Sequence, residues 1–467
     1  MAQRWKVLTI TSVGLFMASL DLFIVNIAFP DMARDFAGAS LPSLSWVLNA
    51  YAIVFAALLV PAGRIADRVG RKRVFVLGLL LFAAASGLCA VAPSLGVLVA
   101  ARVLQAAGGA MMLPTTLGLI LPAFPLEQRT LAIGIWSAVG GVAAALGPPI
   151  GGLLVELSWR WIFVVNVPIG ILTAIVAVRT LDEIRERDDG RPDLLGAAEL
   201  ALGIALLTLG IVKGPEWGWG DPRALAAFAG AVALVVAFVV RSAHHRAPVI
   251  ELPLLRVRSF ALANLAAMVF FAGFGAMLLS GVLLLTELWG YSALRAGLAL
   301  SPGPLMAALF AVPSGRLGGR IGQRPIAVAG GLAFAAGFAC ILAGVGATPA
   351  YASAFLPGFM LGGAGVGMTL GTLPAVAAAT LPPDRFATGT AVFGMARQLG
   401  AAIGVAVLVA LLDDSLQGGD LLAGLRRGWW FSLAAGLGTA ALALAFGPVG
   451  APAKRPVAEL APQRGAA

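Results

Sequence analysis

The sequence predicts an all-α membrane protein with fourteen transmembrane helices. Three observations predict it. Hydrophobic residues fill 60% of 467 positions and charged residues only 12%, about half the charged share of a soluble domain. The apolar residues gather into long runs, each close to the ~20 residues that cross hydrocarbon as a helix. Two charged turns, 63–73 and 315–324, sit between such runs at matched places in the chain. Lipid-exposed sheet edges would leave backbone groups unsatisfied, which excludes strands.

The runs fall at roughly 7–29, 44–62, 74–92, 95–120, 130–154, 161–180, 194–213, 224–241, 259–286, 295–313, 325–346, 351–374, 386–412 and 428–447. The first follows Arg4 and Lys6 and precedes Ala37-Gly38-Ala39, the outline of a signal peptide. It is too long for a signal h-region and holds Asp21 and Asn26, so it reads as a retained first span. An even number of spans puts both termini on one side. Assigning the N-terminus to the cytoplasm places 23 of the 32 cations in cytoplasmic segments and seven outside, with Arg102 and Arg397 inside spans. That asymmetry fixes both termini inside the cell.

The charged turns follow spans 2 and 10, so the repeat is eight spans apart. Spans 1–6 (residues 1–181) match spans 9–14 (258–447), and 182–257 holds a linker and inserted spans 7 and 8. Duplicated halves around a central site are the usual plan of secondary transporters. Residues 448–467 read as a disordered cytoplasmic tail.

Ionisable residues inside spans carry the functional signal. Asp21 lies about two thirds along span 1, where a charge costs roughly 2.5–3.5 kcal/mol. It can lower that cost by binding a proton or by facing a wet cavity. The alternative is a permanent hydrogen bond to a neighbouring helix. Asn26 fits a helix–helix hydrogen bond or a place in a substrate cavity. Arg102 in span 4 cannot shed its proton and needs an acceptor; near Asp21 it would favour the ionised carboxylate. Gln105 shares its face and is a candidate for a substrate cavity. Arg397, beside Gln398 in span 13, is a second membrane-level cation, and both are candidates for the same cavity. Met112, Phe271 and Phe274 are soft or aromatic groups suited to an apolar cavity. Glu199 and Glu287 read as interfacial. Gly147, Pro148 and Gly151 in span 5 combine a helix bend with small residues that make a flat face for tight packing against the other half.

Several classes are excluded. The net charge of +10 is scattered over short loops with no basic face, so nucleic acid is not a partner. Cys89 and Cys340 are distant and lie in apolar runs, giving neither a disulfide nor a metal site. Gly363–Gly367 sits in a span with no strand before it, so it is packing, not a nucleotide loop. No phosphate-binding loop of a primary pump occurs, and no cluster of catalytic groups indicates an enzyme. A receptor or scaffold would give Asp21 and Arg102 no role.

Five segments resemble the major facilitator superfamily, and within it the fourteen-helix drug:proton antiporters of multidrug exporter type. They are the Gly63–Arg73 turn, Asp21–Pro30, Arg102–Gly109 (with Ala106 where glycine is usual), Gly147–Gly152 and Trp159–Gly170. The resemblance implies the major facilitator fold and an export cycle. Asp21 would be the proton-linked acid and Arg102 its transfer partner. The turn residues Gly63, Asp67, Arg68, Gly70 and Arg71 would gate the conformational change, with Asp67 meeting Arg129 across the next turn. Gly147, Pro148 and Gly151 would shape a bend tied to export. Two departures stand out: Gly319 replaces the turn carboxylate in the second half, and span 10 holds no acid, which disfavours dications.

The expected function is proton-coupled antiport of hydrophobic or amphipathic drug-like small molecules, by alternating access, in the plasma (inner) membrane. Its partners are the substrate, protons and membrane lipid. No cofactor is expected beyond the proton gradient. One charge through 100 mV is worth about 2.3 kcal/mol, and a pH unit adds about 1.4 kcal/mol. A dedicated exporter of an endogenous metabolite or self-made antibiotic is the alternative, with a proton-coupled importer behind it. A periplasmic adaptor is compatible with an outer-membraned host, but nothing in the chain demands one.

Overall fold

The computed structural model describes residues 3–36, 39–185, 193–246, 248–379, 386–416 and 420–447. They form long helices: α1 Gln3–Asp35, α2 Leu41–Val69, α3 Arg71–Ala90, α4 Leu95–Ala123, α5 Leu126–Leu157, α6 Trp161–Thr180, α7 Leu194–Trp217, α8 Pro222–His244, α9 Arg258–Leu288, α10 Ala293–Ile321, α11 Gln323–Gly344, α12 Tyr351–Ala377, α13 Phe386–Leu416 and α14 Leu421–Leu444. Among the described residues there is no strand. The 448–467 tail lies outside them.

Thirteen of these helices are long and apolar enough to cross a membrane, one fewer than the fourteen expected. The exception is α14, where Arg426, Arg427 and Trp429-Trp430 crowd the first turns. Helices overrun the apolar runs that announced them, α1 by several residues at each end. Backbone hydrogen bonding continues into the polar interface until a cap or breaker stops it. The caps are legible in the sequence. Ser40, Ser94, Asp193, Asp221, Ser292 and Asp420 each accept a backbone N–H at the start of α2, α4, α7, α8, α10 and α14.

Packing partners recur along the chain. In the first set, α1 packs on α5, α2 on α4, and α3 on α4 and α6. In the second, α9 packs on α13, α10 on α12, and α11 on α12 and α14. The sets meet along two seams, α2 with α13 and α5 with α10. Helices α7 and α8 pack on each other, and α7 lies against both α2 and α13. Asp193 holds this pair together: its Oδ1 accepts from Gly196 N at 2.8 Å and from Arg241 Nε at 2.6 Å.

The two ends of the bundle differ. Toward the C-terminal end of α1, one apolar core runs through both sets, joining Ile24, Phe29, Phe163 and Ala296 with Phe270, Met277, Trp289 and Trp429. Toward the N-terminal end of α1 that core divides. Val7, Phe55, Phe75 and Leu119 belong to one cluster, and another joins Ala52, Ile53, Ala56 and Val60 of α2 to Ala266, Ala327, Val376 and Phe393. The closed end is tied by Arg34 Nη2 to Glu287 Oε1 at 3.1 Å. Leu294 N also donates to Glu156 Oε1 at 3.4 Å. Glu287 thus carries a contact between the two sets.

Candidate functional site

Helices α3 and α4 approach backbone to backbone. A Cβ on Gly108 would lie 2.7 Å from Phe82 N, so only glycine permits the crossing. This places Arg102 and Gln105 of α4 opposite Ser86 and Cys89 of α3, with α1, α2 and α6 closing the other sides. Asp21 and Arg102 are both buried, at 0% and 1% exposure.

The carboxylate is fully accounted for. Asp21 Oδ2 accepts from Arg102 Nη1 at 2.5 Å. Asp21 Oδ1 accepts from Gln105 Nε2 at 2.9 Å and from Asn166 Nδ2 at 3.2 Å. Each of its hydrogen-bond partners is a donor. Arg102 is equally held: Nη1 donates to Gln105 Oε1 at 2.6 Å and Nε to the Val47 carbonyl at 3.1 Å. The Tyr51 ring lies 4.1 Å from its guanidinium carbon. Ser86 Oγ accepts the remaining Gln105 proton at 2.8 Å. A buried pair is tolerated only when its remaining groups are satisfied, and this network largely does so.

The structure therefore brings Asp21, Arg102 and Gln105 together as one unit. Gln105 belongs to this network and not to a substrate cavity. Met112 is also not a cavity residue; it is buried against α3 where Gly78 leaves room. Asn26 bonds its own helix, Nδ2 to the Leu22 carbonyl at 2.8 Å, because the short amide reaches back one turn. Asn166 was hidden in the quoted 159–170 segment, where a buried amide was the available signal. Tyr51 and Ser86 gave no signal in the sequence.

The same segment explains its aromatic-cationic start. Asp35 Oδ2 accepts from Trp159 Nε1 at 2.9 Å and from Arg160 Nη1 at 2.6 Å. This pins the α5–α6 junction to the end of α1, and with it Asn166 beside Asp21.

The α2–α3 turn forms a second cluster. Gly70 has φ 127, a conformation that L side chains rarely adopt. Asp67 Oδ1 accepts from Arg71 Nε at 2.8 Å, and Arg71 Nη1 donates to the Gly118 carbonyl at 2.9 Å. Arg129, the expected partner of Asp67, instead donates from Nε to the Phe124 carbonyl at 3.3 Å. That carbonyl lies in the same short connection and is the nearer acceptor. Gly63 packs on Pro114, and Arg68 is exposed.

In α5 the helix runs unbroken through Pro148 and Pro149. Gly147 and Gly151 abut Phe23 and Ile24 of α1, within the same set, not the other half as expected. The cross-seam contact is made by the Pro148 carbonyl against Gly297 and by Gly152 against Ala293. In the second set, Phe271 packs edge-on against Phe270 and Phe274. Arg397 stands 4.7 Å from the Phe271 ring centroid. Gln398 is half-buried beside it.

The family model for the Major Facilitator Superfamily matches residues 11–404 and 265–465. The chain belongs to this superfamily. Superfamily members are transporters, and the multi-pass helical fold agrees with that. Relatives of this transporter act in drug and antibiotic resistance. It is 36% identical to the "Probable actinorhodin transporter" of Streptomyces coelicolor, covering 88% of this chain and 72% of that protein. It is 33% identical to "Multidrug resistance protein Stp" of Mycobacterium tuberculosis, over 88% and 76%. It is 32% identical to the "Tetracenomycin C resistance and export protein" of Streptomyces glaucescens, over 87% and 76%. Among solved structures, a POT family transporter superposes with a TM-score of 0.69 at 14% identity, over 95% of each chain. An inward-facing bacterial homologue of Spinster gives 0.64 at 18%, over 95% and 96%. At these identities the solved structures speak to the fold.

Proposed function

We propose that this protein is a proton-coupled antiporter that exports hydrophobic or amphipathic small molecules across the plasma membrane. The single observation that carries this is Asp21: a fully buried carboxylate in an apolar span, hydrogen-bonded by Arg102, Gln105 and Asn166. A membrane acid is costly unless it does something, and packing alone would be served by an apolar residue.

In this reading α14 is a fourteenth span, residues 1–181 and 258–447 are the two halves, and α7–α8 is an insert seated on the α2–α13 seam. The excess of arginine and lysine at the end opposite the Arg34–Glu287 contact assigns that end to the cytoplasm in this reading, with the far end closed. The halves rock about the two seams. Opening the far side separates α5 from α10 and shifts α1, which carries Asp21 away from its donors and lets it take a proton. Return to the inward-open state re-forms the Arg102 pair and releases that proton to the cytoplasm. Substrate and proton thereby move in opposite directions.

Relatives named for multidrug resistance and for single antibiotics both occur. They support export and leave room for a dedicated exporter of one compound. Cells expressing the wild type and Asp21→Asn, loaded with a fluorescent drug panel, test the proposal. Efflux should be abolished by a proton uncoupler in the first and absent in the second. Uncoupler-resistant efflux, or full efflux by Asp21→Asn, would sink it.

A further inference from the structure

Arg397 is a cation at membrane level with no counter-charge. Its Nε is buried and has no hydrogen-bond partner, and its recorded contact is the Phe271 ring face. Static anchoring to backbone carbonyls, the ordinary fate of such an arginine, is not what the geometry shows. No carboxylate is at hand either. From Arg258 to Leu412 the sequence holds two acids, Glu287 and Asp384. Glu287 is engaged by Arg34 at the closed end, and Asp384 lies outside the described residues.

The position of Arg397 on α13 says what it faces. At 3.6 residues per turn, it falls on the stripe between two contacts. Gly394 on one side meets Leu59 of α2; Gly400 and Gly404 on the other meet Met268 and Ala272 of α9. That stripe fronts the space between the two halves, and Arg397 is part-exposed there. The guanidinium is a planar fork of donors that matches a carboxylate. The ring of Phe271 covers it on one side, and the part-exposed Phe274, edge-on to Phe271, extends an apolar aromatic wall next to it.

We infer that Arg397 and Phe271 form the recognition point for an aromatic carboxylate, and that the exported molecules include aromatic anions. The carboxylate takes the free edge of the guanidinium, and the ring lies along the phenylalanine wall. This deepens the export reading and rests on it for the direction of transport, but binding at the site is independent of coupling.

The test is equilibrium binding to the purified full-length chain in an uncharged detergent, with 2-naphthoate and the isosteric neutral 2-naphthamide. The wild type should bind 2-naphthoate about tenfold or more tightly than 2-naphthamide, the scale of one charge-assisted hydrogen bond. Arg397→Gln should abolish that preference, hold 2-naphthamide affinity within about threefold, and melt no lower than the wild type. Arg397→Lys should keep part of the preference. Three results would overturn the inference: a wild type that does not bind 2-naphthoate or does not prefer it, a preference retained in Arg397→Gln, or loss of both ligands together with a lowered melting temperature. Uncoupler-resistant efflux would refute antiport and leave this binding result standing.

Discussion

Gly297→Ala is a one-methyl perturbation of the seam between α5 and α10. In this conformation the new Cβ would collide with the Pro148 carbonyl oxygen and lie 2.8 Å from the carbonyl carbon and 3.3 Å from Pro149 Cα. Those are backbone atoms and cannot swing aside. Alanine also favours helix over glycine by about 1 kcal/mol, but α10 is helical in either conformation, so that gain cancels between them. The overpacking remains, at about 1–3 kcal/mol, and it acts only on the state in which the seam is closed. The population ratio should therefore shift toward the other state by about 5–150-fold. Spin labels at Leu157 and Leu298, both exposed at this end, in a background with Cys89 and Cys340 replaced, would read the change. The distance distribution should gain a longer component in Gly297→Ala. If the two distributions superimpose while the protein stays folded, the seam is not the moving part and the rocking argument fails.

Three further outcomes follow from the geometry. Arg102→Ala leaves Asp21 buried without its counter-ion and should cost about 3–5 kcal/mol, read as a large drop in melting temperature; Asp21→Asn with Arg102→Gln should recover much of it without recovering transport. Asn166→Ala removes one of three donors to Asp21, worth about 1.5–3 kcal/mol for a charged acceptor, and should impair coupled transport while leaving substrate binding measurable. Gly70→Ala forces a side chain into a backbone region at φ 127 and toward the Glu183 carboxylate. It should lower stability by about 1–3 kcal/mol, seen as an earlier thermal transition; an unchanged transition would show that the turn relaxes freely.

The spans were legible because membrane helices are written in composition, while their ends, set by caps such as Ser40 and Asp193, lie outside the apolar runs. Asp21 and Arg102 were legible because charge in hydrocarbon is rare, and span position alone brought them close. Asn166 was not, since a buried amide in an apolar run reads the same whether it meets a carboxylate or its own helix. Asn26 shows the reverse: it has the same chemistry and only a local bond. Arg129 was assigned to Asp67 by resemblance, but which acceptor a loop arginine reaches depends on the conformation, and sequence does not encode one conformation. In span 5, Gly152 makes the expected contact with the other half while Gly147 and Gly151 do not, for a related reason. Small residues announce close packing without naming the partner, and here Gly147 and Gly151 serve α1 while Pro148 and Gly152 meet α10.

The central claim is that Asp21 exchanges protons for substrate. Liposomes containing the purified protein and a trapped pH-sensitive dye measure this directly, once efflux has identified a transported compound. Adding that compound to one side should drive protons to the same side from the lumen, or the reverse, with the wild type. Asp21→Asn should bind the compound and produce no pH change. An equal pH change from Asp21→Asn, or substrate movement by the wild type with no proton movement at all, would contradict the account.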